Sequence, residues 1–145
     1  MDKQLQEWMT QNDYDTKEIN KQGNYGNTAL MKAAREGNAQ FVKELLALGA
    51  DITCKNIDGN TALWLGCFGE NPEVIKLLID AGIEIDNTND GGVTSLMYAA
   101  SSGKLEMVKM LLEAGANPKR ENSDGFSALD LAATPSILRA LRKAV

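Results

Sequence analysis

The side chains of this 145-residue chain that could do chemistry are nearly all carboxylates: 20 Asp and Glu stand against 15 Lys and Arg, and there is no histidine. Two close pairs, Asp13 with Asp15 and Asp86 with Asp90, have a spacing at which one carboxyl could hold a proton for general acid–base work, provided an enclosed site raised its pKa. Cys54 and Cys67 form no C-x-x-C pair and have no base to activate them. No G-x-x-x-x-G-K-[ST] run and no metal-ligand spacing occurs. The chain therefore reads as non-catalytic, with no cofactor and no metal, and its thiols as reduced and structural.

Carboxylates can also serve recognition. Asp58, Asp90 and Asp124 recur at or within one place of a 33-residue step, among apolar residues of the kind that anchor interfaces: Tyr25, Ile57, Phe68, Val93 and Phe126. Such a row would steer a basic segment toward it. Asp and Asn before Gly are also favoured turn residues, which hydrogen-bond their own backbone, so the row has a second reading as loop chemistry.

What positions these residues is a repeat. Glycine followed by Thr or Ser at +2 and Leu at +4 occurs at Gly26, Gly59, Gly92 and Gly125, each 33 residues after the last. Gly49, Gly82 and Gly115 keep the same step in a second register. A period of this length belongs to a supersecondary unit that buries its apolar surface only by stacking on neighbours. In the first unit Thr28 is a good N-cap, Ala33 and Ala34 favour helix, and Gly37 ends a segment of about two turns, too short to persist alone. A second helix follows, with Phe41, Val42, Leu45 and Leu46 at helical spacing and Gly49 as its C-terminal stop. Ala50 to Gly59 then crosses to the next unit as a projecting turn or hairpin. Lys43, Lys76 and Lys109 also keep the period and read as the solvated outer face of the second helices.

Asn71-Pro72 starts the second helix of unit two, and Val74, Ile75, Leu78 and Ile79 repeat the pattern before Met107, Val108, Leu111 and Leu112 do so again. The ends differ, as terminal units should. Leu5, Trp8 and Met9 can cover the first unit from a helix beginning near Asp2, while Ile137, Leu138 and Leu141 face inward at the other end. The expected organisation is one domain over 1–145, with a capping segment 1–25, units 26–58, 59–91 and 92–124, and a truncated capping unit 125–145. With both ends capped, a complete and monomeric chain is expected.

A net charge of −5 opposes nucleic acid as partner, since such binding draws on Lys and Arg neutralising phosphates. The polar start and the lack of a long apolar run predict a cytoplasmic protein without membrane contact.

These residues resemble the ankyrin repeat family, whose period is 33 residues and whose signature is T-P-L-H-x-A. The signature reads Thr28-Ala29-Leu30-Met31-Lys32-Ala33, Thr61-Ala62-Leu63-Trp64-Leu65-Gly66, Thr94-Ser95-Leu96-Met97-Tyr98-Ala99 and Ser127-Ala128-Leu129-Asp130-Leu131-Ala132. The second-helix ending is similar to L-L-x-x-G-A-D at Leu45 to Asp51 and Leu111 to Asn117. The resemblance covers about residues 20 to 145. It implies an all-α solenoid of stacked antiparallel helix pairs with projecting β-turn or hairpin loops. The family's Pro and His are missing from every unit. The ties that its His helps to make must then come from packing, with Met31, Trp64 and Met97 filling the seams. Asp130, with nothing stacked beyond it, can be solvated. Gly66-Cys67 in place of Ala-Ala, and Gly69 one place early, predict an irregular first helix in unit two.

The family binds partner proteins on the concave surface formed by loop tips and first helices. Its contact positions map onto Asn24, Tyr25, Asn27, Arg35 and Glu36 in the first unit, and onto Ile57, Asp58, Asn60 and Phe68 in the second. They map onto Asp90, Val93, Ser101 and Ser102 in the third, and onto Ser123, Asp124 and Phe126 in the fourth. The resemblance implies an adaptor or inhibitor holding a partner protein without chemistry of its own. The alternative is a dedicated masking or immunity-type subunit for a single partner enzyme. A closed small-ligand or catalytic pocket is a third possibility, which an open stack does not favour.

Overall fold

The computed structural model describes all 145 residues and contains nine α-helices and no strand. Helix α1 spans Lys3–Gln11. Three helix pairs follow: α2 (Ala29–Arg35) with α3 (Ala39–Ala47), α4 (Ala62–Gly69) with α5 (Pro72–Asp80), and α6 (Ser95–Ser101) with α7 (Leu105–Glu113). The last pair is α8 (Ala128–Leu131) with α9 (Pro135–Ala144). The first helices form one row, α2 on α4 on α6 on α8, and the second helices another, α3 on α5 on α7 on α9.

Local sequence explains where each helix starts. Thr28, Thr94, Ser127 and Thr134 accept the backbone N–H three residues on, and Asn38 and Asn71 cap α3 and α5. Each such cap is worth about 1 kcal/mol. Asp130 is exposed and completes a capping box with Ser127. Helices this short persist because the rows bury their apolar faces in one core that runs the length of the stack, from Leu5 and Met9 to Ile137 and Leu141. Met31 and Met97 fill the seams almost completely buried, while Trp64 is half-buried against Tyr98, their rings 4.2 Å apart. At the N-terminus, Leu5 and Met9 of α1 are fully buried in the core, and the Trp8 ring lies 5.2 Å from Phe41 of α3.

Two expectations need correction. Packing alone does not replace the missing histidine ties, because polar side chains also cross between units: Asn71 Nδ2 donates to Gly37 O at 2.8 Å, and Lys104 Nζ donates to Cys67 O and Phe68 O at 3.0 and 3.1 Å. Nor is α4 irregular. Gly69 is required there because a Cβ would stand 2.5 Å from Ala34 O and 2.7 Å from Arg35 O, both backbone. The left-handed stop that Gly37 and Gly103 supply to α2 and α6 falls instead on Glu70, at φ 58°.

Candidate functional site

Between the pairs the chain makes tight turns, not hairpins; one isolated bridge, Glu121 to Ser127, is the only β pairing. The turns repeat atom for atom. Asn56, Asn89 and Asn122 donate their N–H to the carbonyl four residues on. Their Oδ1 atoms accept in return, Asn56 from Asp58 N and Asn60 N, Asn89 from Gly91 N and Val93 N, and Asn122 from Asp124 N and Phe126 N, all at 2.9–3.0 Å. The turn chemistry therefore belongs to the asparagines. The carboxylates of Asp58, Asp90 and Asp124 make no hydrogen bond or salt bridge and are exposed. Asparagine at 56, 89 and 122 keeps the 33-residue step, whereas the aspartates drift from it, and that regularity is the signal by which the turn-forming residues could have been recognised.

Successive tips are laced together. Ile57 N donates to Tyr25 O, Asp90 N to Asp58 O and Ser123 N to Gly91 O, at 2.9–3.0 Å. The tip glycines make this approach possible: a Cβ on Gly26, Gly59 or Gly92 would come within 3.0 Å of the next tip's backbone nitrogen, besides the strain of φ near 74–80°. The row is thus one hydrogen-bonded edge that presents Tyr25, Ile57 and Phe126 at 74%, 64% and 50% exposure.

The tips meet the first helices at the N-terminal end. Tyr25, Asn27 and Arg35 line one polar cleft of about 230 Å³ with Asp13, Tyr14 and Lys32. Two of the three non-glycine residues with left-handed backbone, Asp13 (φ 61°) and Tyr25 (φ 60°), belong to it. Burial, and secondarily the charge of Glu36, raises the Tyr14 phenol above its ordinary pKa, so it remains a neutral hydroxyl. Glu36 is held by Lys32 at 3.4 Å and by the Trp8 indole N–H at 3.0 Å. Further along, Phe68 is 45% exposed and lies between two cations, with Arg35 Cζ 4.9 Å and Lys104 Nζ 5.4 Å from its ring centroid. Lys104 also stands 5.3 Å from the Tyr98 ring and 3.4 Å from Glu70, with only 11% of its side chain exposed. Ser101 is exposed one unit on from Phe68.

Three residues expected on this surface are not freely presented there. Asn60 is 5% exposed, because the turn that Asn56 closes folds it against the start of α4. Val93 is half-buried and packs on the core from the equivalent place. Asn27 is half-buried, its Oδ1 taken by Asn56 Nδ2 at 3.0 Å. One carboxylate of each close pair holds backbone: Asp15 accepts from Lys17 N at 2.8 Å, and Asp86 from Asn117 N at 3.0 Å. Cys54 and Cys67 are unpaired. Burial pushes the Cys67 thiol up to about 12, outweighing the opposite pull of Lys104. The Cys54 thiol is raised by partial burial and by Asp51. Neither is an activated nucleophile.

Stacked helix pairs, tips projecting at a fixed step and one continuous core define a helical repeat solenoid. The chain belongs to the ankyrin repeat family: the family profile described as ankyrin repeats (3 copies) matches residues 2–89, 49–122 and 70–143. Ankyrin repeats are generally protein–protein interaction modules and are typically non-catalytic. No curated protein matches the chain. No helix is long and apolar enough to cross a membrane.

Proposed function

We propose that this chain is a non-catalytic interaction module, an adaptor or inhibitor that holds a partner protein on the face formed by the turn tips and the exposed side of the first helices. The observation that carries this reading is the freedom of the tip side chains. With Asn56, Asn89 and Asn122 closing the turns, Asp58, Asp90 and Asp124 keep unspent carboxylates beside exposed Tyr25, Ile57 and Phe126. Free acids beside aromatic and aliphatic anchors suit a partner segment that carries Lys or Arg next to apolar residues. The laced backbone beneath them gives the face rigidity before binding, which limits the ordering cost of association. The unpaired, unreactive thiols suit a cytoplasmic monomer.

The test is affinity capture from native extract with the wild-type chain and with a variant carrying Tyr25→Ala, Asp58→Ala and Asp90→Ala, followed by mass spectrometry. These positions are exposed, so the variant should fold, and its circular dichroism checks that. A partner kept by the wild type and lost by the variant supports the reading. The same partner kept by both, or none kept by either, sinks it. Assay of a captured enzyme with and without the chain separates an adaptor from a masking or immunity-type subunit.

A further inference from the structure

A second surface lies away from the tips, between the last two outer helices. A groove of about 570 Å³ runs between α7 and α9, more than twice the volume of the tip cleft. Its apolar side chains are Leu105 and Leu112 from α7 and Ala140 and Ala144 from α9. The unit beyond the groove is shortened. α8 has 4 residues where α2 and α6 have 7, so α9 begins at Pro135, three residues before the position that the period would match to Leu105, the first residue of α7. Alanines then stand along the seam.

The charge around this groove opposes that of the whole chain. Lys109, Arg139 and Lys143 line it against the single carboxylate of Glu113, in a protein of net charge −5. None of the three cations is in a salt bridge, whereas Lys76, one unit before Lys109, pairs with Asp80 at 3.8 Å. Arg139 spends one Nη2 donor on Ser136 Oγ at 3.3 Å. The residues lining each wall recur every three or four positions, so the groove follows both helix axes for about two turns, roughly 12 Å. A trough of that form, with apolar residues on both walls among charged ones, is a shape that receives an amphipathic helix.

We propose that this groove docks an amphipathic helix of a partner protein, with an apolar stripe seated on Leu105, Leu112, Ala140 and Ala144 and flanking Asp or Glu residues paired to Lys109, Arg139 and Lys143. A lipid surface fits less well. The apolar side chains line the trough, and outside it a chain of net charge −5 would be repelled by an anionic bilayer. The groove shares no residue with the tip face, so the inference stands or falls apart from the proposed function.

The test pans a display library of randomised, helix-favouring peptides of roughly 16 residues on the full chain, with counter-selection on a Lys109→Glu/Arg139→Glu variant. Both positions are exposed, and an unchanged melting midpoint establishes that the variant folds. The expected pool is net acidic with Leu, Ile or Met at i, i+3 or i+4, and i+7, and binds the wild type about tenfold more tightly than the variant. A basic or unpatterned pool, equal binding to both chains, or no enrichment overturns the proposal. Co-sedimentation with phosphatidylserine vesicles that the variant loses would assign the groove to lipid and overturn it too, as would self-association that the variant abolishes.

Discussion

The first helices of units two and three occupy equivalent places and are held by different means. α6 is locally complete: Thr94 accepts from Met97 N, Met97 Sδ accepts in return from Thr94 N, and Gly103 at φ 74° makes the left-handed stop. α4 has no side-chain cap from Thr61, carries glycines at 66 and 69, and ends on Glu70 in a backbone conformation that costs a non-glycine residue about 1–2 kcal/mol. At its start, Asn60 Oδ1 and Trp64 Nε1 are buried without a partner. What α4 lacks within its own segment it receives from other units: close backbone approach to α2 at Gly69, and Lys104 of the next unit donating to its last carbonyls. A repeat array can thus keep one fold while shifting support from local to inter-unit contacts.

The strongest way to break this comparison is Gly69→Ala against Ser102→Ala, the same place in successive units. The first forces a Cβ onto two backbone oxygens and should cost about 3 kcal/mol, while the second, on an exposed residue, should change stability by less than about 0.5 kcal/mol. Equal melting midpoints for the two would show that the close approach is not needed.

Lys104→Met keeps the stem that lies beside Phe68 and Tyr98 and removes the ammonium. It leaves Cys67 O and Phe68 O without their donor, and urea unfolding should report a loss of about 1–2 kcal/mol. No loss would mean that α4 needs no support from unit three.

Glu70→Gly relieves the left-handed strain but removes the carboxylate beside Lys104, whose side chain is only 11% exposed, so the two effects oppose and a gain below about 1 kcal/mol is expected. The reciprocal Gly103→Ala, with open space around its Cβ, should lose about the same amount through conformation alone. If both move stability in one direction, the two stops are not equivalent.

Thiol labelling sharpens the contrast without mutation. With its pKa at about 12, Cys67 remains a protonated, buried thiol at pH 8, so iodoacetamide should modify half-buried Cys54 first and reach Cys67 only when α4 opens. Equal rates in the native state would mean that α4 is loose. The smallest effect is expected from Gly66→Ala. A helix-propensity gain of about 1 kcal/mol opposes a Cβ placed 3.0 Å from the Ile75 Cδ1 methyl, and the net change should stay within about 0.5 kcal/mol.

The sequence by itself determined the step of 33 and the membership of one repeat class, because identical residues recur at that interval, and it determined the helix pairs, because those depend on residues within a few positions of each other: Thr28 on Met31 N, Asn71 on Glu73 N, Phe41 and Val42 against Leu45. It also singled out the tips as the surface to examine. Only the tertiary structure decided which tip side chains are free, since Asn60 and Val93 turn inward while Tyr25 and Ile57 stand out, all from positions within two residues of a glycine. It decided that Gly69 answers a neighbour's backbone rather than a helix stop, and that Lys109, Arg139 and Lys143 meet around one groove. The physical reason is range. Caps and amphipathic faces are written in i to i+4 relations that a sequence displays, whereas exposure, close approach and shared clefts arise between residues about 33 positions apart, where only the stacking geometry brings atoms together.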